Sequence, residues 1–316
     1  MFFLSSLFLL LASWSSIMTT GLEVEDFLPR VKQNLTNITW AHAVNNQSYL
    51  NTTLSNDNVN MIEADVVMGT LFNDSKIIPI MAHPPLNASD LSLEKFLNQT
   101  KEFNLKANTT KTTRKGIKLD FKSTDAFKNS TKIVKNFDEG LFPIWINADI
   151  LPGPIDANPP TVDSKEFFQG AKLFLNSTLS IGWTTNYSGS ATGAYNSSQI
   201  EHMIQVIQVN NVTQNITFPV RAGLAALSID LLMNLTEQVP NSTLTIWSSD
   251  GDCVDIEKLR VLIKENGLNK TFIDVPSELL EQLHLNDLPN GGSPLRNFVW
   301  FTGLAMLILG FGVKWW

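Results

Sequence analysis

The sequence predicts an α/β fold built as a single (β/α)8 barrel, and three observations carry that prediction. Eight short runs rich in Ile, Val, Phe, Trp and Thr, each bounded by Gly, Pro, Asn or Ser, alternate with longer helix-compatible stretches. Parallel strands need a crossover between them, and the intervening stretches are long enough to supply one. No Gly-rich phosphate loop follows the first run, no break in composition marks a second domain, and no internal repeat is present. The open doubly wound sheet is therefore the weaker rival.

The chain of 316 residues begins with MFFLSSLFLLLASWSSIMTTG, an apolar run passing into small and polar residues. Residues 1–20 are expected to be a secretory signal peptide with cleavage between Ser15 and Gly21. The stretch lacks an N-terminal Lys or Arg, which leaves an uncleaved anchor as the alternative. A barrel ectodomain is expected over residues 30–285. Its strands are Thr39–Val44, Asn60–Val66, Gly116–Phe121, Pro143–Ala148, Leu179–Trp183, Thr217–Arg221, Thr243–Trp247 and Thr271–Val275. Among the helices, Ser92–Leu105 sets Leu93, Phe96, Leu97 and Leu105 near one face, and Ser198–Val209 and Gly223–Leu235 behave alike. The segment LPGPIDANPP, from Leu151 to Pro160, is too stiff for a helix and is expected to cap one end of the barrel.

After a linker at 286–297 comes the apolar run Phe298–Val313, followed only by Lys314-Trp315-Trp316. Residues 298–316 read either as a transmembrane helix or as a GPI-attachment signal with its site in Asn290-Gly-Gly-Ser293. Seventeen Asn-X-Ser/Thr sequons lie between Asn34 and Asn269, several times what composition alone would give. They point to an N-glycosylated protein passing through the secretory pathway to the extracellular face of the plasma membrane. Cys253 is the single cysteine, so stability rests on a large core and not on an intrachain disulfide. The net charge of −7 and the lack of a basic run exclude nucleic acid as a partner.

Three apolar runs carry ionisable groups at or near their ends: Trp40-Ala-His-Ala-Val-Asn45, Met61-Ile-Glu-Ala-Asp-Val66 and Met81-Ala-His-Pro-Pro85. Strand alternation puts Glu63 and Asp65 on one face and Ile62, Ala64 and Val66 on the other. Gly116-Ile-Lys-Leu-Asp-Phe-Lys122 repeats the pattern with Lys118, Asp120 and Lys122. A barrel gathers these strand ends at one mouth. Glu63, Asp65 and Asp120 then form a hard-cation site suited to Mg²⁺ or Ca²⁺. His42 and His83 beside it suit acid–base or nucleophilic work on a phosphate ester, with Lys122 neutralising charge on the phosphoryl group. His202 and His284 fall in helix-like segments and read as structural.

The order His, E-x-D, His, D-x-K resembles the glycerophosphodiester phosphodiesterases and the spider-venom type sphingomyelinases D. The motifs WAHAVN, IEADV, AHPP, GIKLDFKS, WINADILPGP, IGWTT, PVRAGL and LTIWSSDGD are similar to those of the menorin family, over roughly Asn37 to Val275. The resemblance implies a phospholipase-C-like TIM barrel, His42 and His83 as the catalytic pair, and a Mg²⁺ or Ca²⁺ held by Glu63, Asp65 and Asp120, with Lys122 at the phosphate. The ligand would be a glycerophosphodiester or a lipid head group. Two residues depart from the phosphodiesterase pattern: Ala43 stands where Arg follows the first His, and Pro84 where Asp follows the second. The family also implies a non-catalytic alternative, a cell-surface ligand or co-receptor in adhesion and dendrite patterning with an L1-type adhesion receptor as partner. Asn147, Asp149, Trp183, Arg221 and Trp247 lie in the remaining motifs, at strand ends. Arg221 is expected to meet an anionic group of the ligand beside Asn147, with Trp183 and Trp247 either walling the pocket or packing in the core.

Overall fold

The computed structural model describes residues 24–289, except 29, 30, 32, 111 and 188–192. The expected signal peptide and the C-terminal anchor lie outside the described residues. A short helix, α1 (Val24–Phe27), leads into β1 (Trp40–Ala41), α2 (Gln47–Leu54), β2 (Met61–Leu71), β3 (Ile78–Met81), β4 (Ala88–Ser89) and α3 (Leu93–Thr110). Strands and helices then alternate: β5 (Gly116–Phe121), α4 (Thr124–Lys135), β6 (Ile144–Pro152), α5 (Ser164–Ala171), β7 (Thr178–Thr184) and α6 (Ser197–Val209). The chain continues with β8 (Ile216–Arg221), α7 (Ala222–Ala225), α8 (Ile229–Gln238), β9 (Thr243–Trp247), α9 (Ile256–Asn266), β10 (Thr271–Asp274) and α10 (Ser277–Gln282).

Eight strands pair in parallel in the order β1, β2, β5, β6, β7, β8, β9, β10, and each coincides with one of the eight runs picked out above. The expectation of a closed barrel needs one correction. No ladder joins β10 to β1, because β1 pairs through only two residues before the chain turns off at Ala43, whose φ of 54° is left-handed. A second weak seam lies between β7 and β8. Their ladder stops at Ser180 and Thr217, two residues short of Pro219, which has no N–H to donate.

Alternation along each strand sorts the side chains as the sequence predicted. Ile62, Ala64 and Val66 of β2, and Ile117, Leu119 and Phe121 of β5, are buried among the helices in the main core. On the inner face, the rings of Trp40, Trp145 and Phe272 meet edge to face, Trp40 at 5.5 Å and 6.5 Å from the other two, which lie 4.8 Å apart. They close the floor of the barrel. Val24 and Phe27 of α1 join the core, so the folded unit starts before residue 30.

Three elements differ from the sequence expectation. β2 runs on past Val66 and pairs antiparallel with β3, making a hairpin that rises above the mouth and not another barrel strand. The helix expected at Gly223–Leu235 is broken into α7 and α8 by Ala226–Ser228. On α3, Leu93, Phe96 and Leu97 are buried, but Leu105 is 56 % exposed.

Candidate functional site at the barrel mouth

The inward residues at the C-terminal ends of β2 and β5 meet across the ladder, with Glu63 in register with Lys118 and Asp65 with Asp120. One carboxylate oxygen of each of Glu63, Asp65 and Asp120 lies within 4.8 Å of the others. Asp65 accepts from Asn45 Nδ2 at 2.7 Å, and its N–H donates to Asn45 Oδ1 at 2.9 Å. Lys122 bridges Asp65 at 2.8 Å and Asp120 at 2.5 Å. Asn147 Nδ2 donates to the other oxygen of Asp120 at 2.6 Å, and Ser180 Oγ holds Asn147 Oδ1 at 2.6 Å. A continuous chain of polar contacts thus runs from the loop after β1 to β7. Asn147 steadies Asp120 in it.

His42 lies at the open seam, its Nδ1 at 3.3 Å from Asp274 Oδ2 and 3.6 Å from Glu63 Oε2. The turn at Ala43 sends that residue's N–H to the same Glu63 oxygen at 2.7 Å. Partial burial opposes the charge on His42, yet the bond to Asp274 and the charge of Glu63 raise its pKa to about 9. Burial, then the charge of Asp65, pushes Glu63 up to about 7. Burial, then the charge of Asp120, does the same to Asp149, also to about 7. Asp120 moves down despite its burial, because Lys122 and Lys118 face it. Burial would lower Lys122, but Asp120 and Asp65 raise it.

A hard cation fits this donor set. Oxygens bound at roughly 2.0–2.6 Å from an ion lie no more than about 4–5 Å from one another, as the three carboxylates do. Carboxylates Glu63, Asp65, Asp120, Asp149 and Asp274 outnumber the cations His42, Lys118 and Lys122 by two groups, and a divalent ion would favour the ionised forms of Glu63 and Asp149, whose pKa values stand raised to about 7. A carboxylate oxygen has lone pairs enough to keep its present partner and also bind an ion.

Other expected residues are placed differently. His83 is exposed at the end of the hairpin; its Nδ1 lies 2.7 Å from the Pro84 carbonyl, and no hydrogen bond or ion pair joins it to the carboxylates. Trp183 points outward and is buried against Tyr195 and Phe218, at 5.1 Å and 6.2 Å between rings, so it walls no pocket at the mouth. Arg221 holds Asp252 through two bonds of 2.8 Å and 2.7 Å between the rings of Tyr187 and Trp247. Two of its five N–H donors are thereby committed to Asp252, and Nη1 lies 3.5 Å from Thr185 Oγ1. Trp247 lines, with Trp40, His42, Asp274, Leu280 and Leu285, a cavity of about 900 Å³ along the seam between β1 and β10.

Sequence reasoning missed Asn45 and Asp274. Both carried a usable signal. Asn45 ends the WAHAVN motif, and Asp274 follows Phe272 by two residues on an inward face. The break between Ala226 and Ser228 carried none.

Fold and mouth together define the class: a parallel α/β barrel of the TIM type, with a buried acidic cluster at the C-terminal ends of its strands. Residues 34–280 match the Menorin N-terminal domain. Human Protein FAM151B is 35 % identical over 241 residues, which cover 75 % of this chain and 82 % of that protein. The chain belongs to the menorin family. Among solved structures, the GH53 catalytic domain of Ignisphaera aggregans aligns at 12 % identity and a TM-score of 0.41, over 78 % of this chain and 86 % of its own. A putative sugar phosphate isomerase/epimerase from Anabaena variabilis aligns at 10 % identity and a TM-score of 0.43, over 83 % and 93 %.

Proposed function

We propose that this protein binds a divalent cation and a phosphodiester at the barrel mouth, on the extracellular face of the plasma membrane, and hydrolyses the diester. The observation that carries this reading is the convergence of Glu63, Asp65 and Asp120 within 4.8 Å, beside His42. Mg²⁺ or Ca²⁺ held there would polarise the phosphoryl group and offset its developing charge. His42 is charged at neutral pH and uses Nδ1 toward Asp274, which leaves Nε2 to give its proton to the leaving oxygen. Ala43 N–H fixes Glu63, Asn45 fixes Asp65 and Asn147 fixes Asp120, so the donors are oriented before any ligand arrives. His83 has the role of second histidine by resemblance alone; it is exposed one residue after Ala82, whose N–H donates to the Asp65 carbonyl at 3.1 Å.

The glycan-rich, exported part of the reading rests on where the sequons fall. None of the seventeen sequon asparagines is buried, whereas the buried Asn104, Asn147 and Asn266 all lack the motif. Membrane attachment rests on the apolar run 298–313 alone.

A second reading is a cell-surface ligand or co-receptor without turnover, with an adhesion receptor of the L1 type as partner. It is favoured by Lys122, which already pairs with Asp65 and Asp120, and by His83, which makes no hydrogen bond or ion pair with the cluster. One experiment separates the two. Purified protein is assayed for Mg²⁺ and Ca²⁺ binding, and for release of alcohol from glycerophosphodiesters and lipid phosphodiesters. Cation-dependent release that falls by a factor of about 10² or more in His42→Ala supports hydrolysis. Cation binding without release, or release unchanged in His42→Ala, favours the second reading.

A further inference from the structure

Lys118 is the unusual charge of the barrel. It projects inward from β5, in register with Glu63 on one side and Trp145 on the other, just above the aromatic floor. The residue is only 4 % exposed. Among the described residues its ammonium nevertheless makes no hydrogen bond and no ion pair; it stands over the Trp40 ring, 5.8 Å from the centroid. Among the described residues the other buried or half-buried cations near the barrel have partners. Lys122 bridges two aspartates, Arg221 grips Asp252, and Lys115 donates to the Asn56 and Val59 carbonyls.

An unpaired ammonium is costly to bury, and a fold that keeps one without a protein partner has left its donors for something else. Among the described residues, the polar atoms sealed without a partner are Trp40 Nε1, Thr53 Oγ1, Trp183 Nε1 and Tyr195 OH. Lys118 Nζ is not among them, so it is not sealed, and it lies on the same inward face of β5 as Asp120, one step below the acidic cluster of the mouth. Its charge also acts on the groups of the mouth, opposing that of His42 and favouring ionisation of Glu63, Asp120 and Asp149.

We propose that Lys118 is the anion-binding group of the mouth, donating from the barrel floor to a phosphate oxygen of a ligand held above it by the carboxylate-bound cation. This deepens the reading given under Proposed function and rests on it for the phosphate. Lys118 differs in this from Lys122 and Arg221, the cations the sequence pointed to, each of which is already ion-paired with carboxylates.

The test uses purified full-length wild type, Lys118→Met and Lys118→Arg, each checked for folding by thermal melt. Calorimetry measures Mg²⁺ and Ca²⁺ affinity first, and inorganic phosphate affinity in saturating cation second. In Lys118→Met the phosphate affinity should fall on the order of 10- to 100-fold, the loss of a charge-assisted hydrogen bond, while cation affinity holds or improves. Lys118→Arg should keep much of the phosphate affinity. A merely structural lysine would shift the melt and leave phosphate binding alone. Should Lys118→Met fail to fold, Lys118→Gln takes its place. Equal phosphate affinity in wild type and the neutral variant overturns the role of Lys118 and leaves the cation and phosphate reading standing. Wild type that binds cation but not phosphate overturns the Lys118 role and the phosphodiester with it. Wild type that binds neither overturns both proposals.

Discussion

Two sectors of the barrel mouth carry charges at strand ends, and they solve the cost of burying them in opposite ways. Where β8 and β9 end, one cation meets one anion. Arg221 and Asp252 are 12 % and 4 % exposed, bonded through both nitrogens of the fork, with aromatic rings of Tyr187 and Trp247 against the guanidinium. Burial opposes ionisation of Asp252, but the bonds from Arg221 bring its pKa below the usual range. Across the mouth, where β2, β5, β6 and β10 end, carboxylates outnumber cations, and Glu63 and Asp149 are driven up to about 7. The first sector is complete in itself and acts as a clamp between loops. The second lacks positive charge, and only a deficit of that kind leaves work for a ligand.

The comparison breaks most visibly at the clamp. Arg221→Met leaves Asp252 charged, nearly buried and without its partner, and should cost about 3–5 kcal/mol of stability. The double variant Arg221→Met/Asp252→Asn should regain a large part of that loss, since no orphan charge remains. Denaturant unfolding of the three proteins measures the coupling. If Arg221→Met unfolds no more easily than wild type and instead loses phosphate affinity, Arg221 belongs with the ligand and the division into two sectors fails.

Neutralising a carboxylate in the deficient sector should have the opposite sign. Glu63 has an ordinary pKa of 4.5, raised to about 7 in the folded protein by burial and by Asp65. The folded state therefore holds this proton more tightly than the unfolded state. In chelated protein, stability falls as pH rises from about 4.5 to about 7, and the cost is fully present above that. Glu63→Gln keeps an oxygen for Ala43 N–H, removes the charge, and should stabilise the chelated protein at pH 8 on the order of 1–3 kcal/mol. The same change should abolish the gain that wild type shows when Mg²⁺ or Ca²⁺ is added, a gain of about 2.7 kcal/mol at a hundred times Kd. A destabilised Glu63→Gln at pH 8 would mean that the sector is balanced after all.

Much of this division was legible in the sequence, and the parts that were not share a cause. Period-two alternation placed Glu63, Asp65 and Asp120 inward correctly, because the apolar residues between them had to face the helices. The barrel order followed from eight runs and their crossovers. Pairing partners were another matter. Arg221 reads as a free cation until the loop after β9 brings Asp252 back to it, 31 residues along the chain. His42 and Asp274 are 232 residues apart and meet only because the first and last strands flank one seam. His83 entered the reading through the motif order; the antiparallel return of β3 does bring the chain back to Asp65, whose carbonyl accepts from Ala82 N–H at 3.1 Å, but nothing local showed that the His83 ring would be exposed and turned to the Pro84 carbonyl. Alternation tells which way a side chain points, and the tertiary fold decides what it meets there.

His42 gives the finest test of the comparison, because it stands on the edge of the deficient sector and is 59 % exposed. Its pairing with Asp274 and Glu63 raises its pKa from 6.5 to about 9. The stabilisation from that pairing is thus fully present below about pH 6.5 and fades as pH rises through about 9. Solvent screening at so exposed a ring keeps its effect on stability small, so the imidazole signals should be followed by NMR and not by unfolding. In chelated protein the His42 signals should move with a midpoint near 9, and Asp274→Asn should bring that midpoint down toward 6.5. Adding Mg²⁺ or Ca²⁺ to wild type should also lower it, since a divalent charge on Glu63 opposes the proton on its neighbour. Arg221→Met/Asp252→Asn should leave the midpoint nearly where it was, because neither clamp residue pairs with His42 directly and the route between them runs through Ser248 to the backbone carbonyl of Asp274, not to its carboxylate. A midpoint that ignores the cation but follows the clamp would reverse the roles of the two sectors.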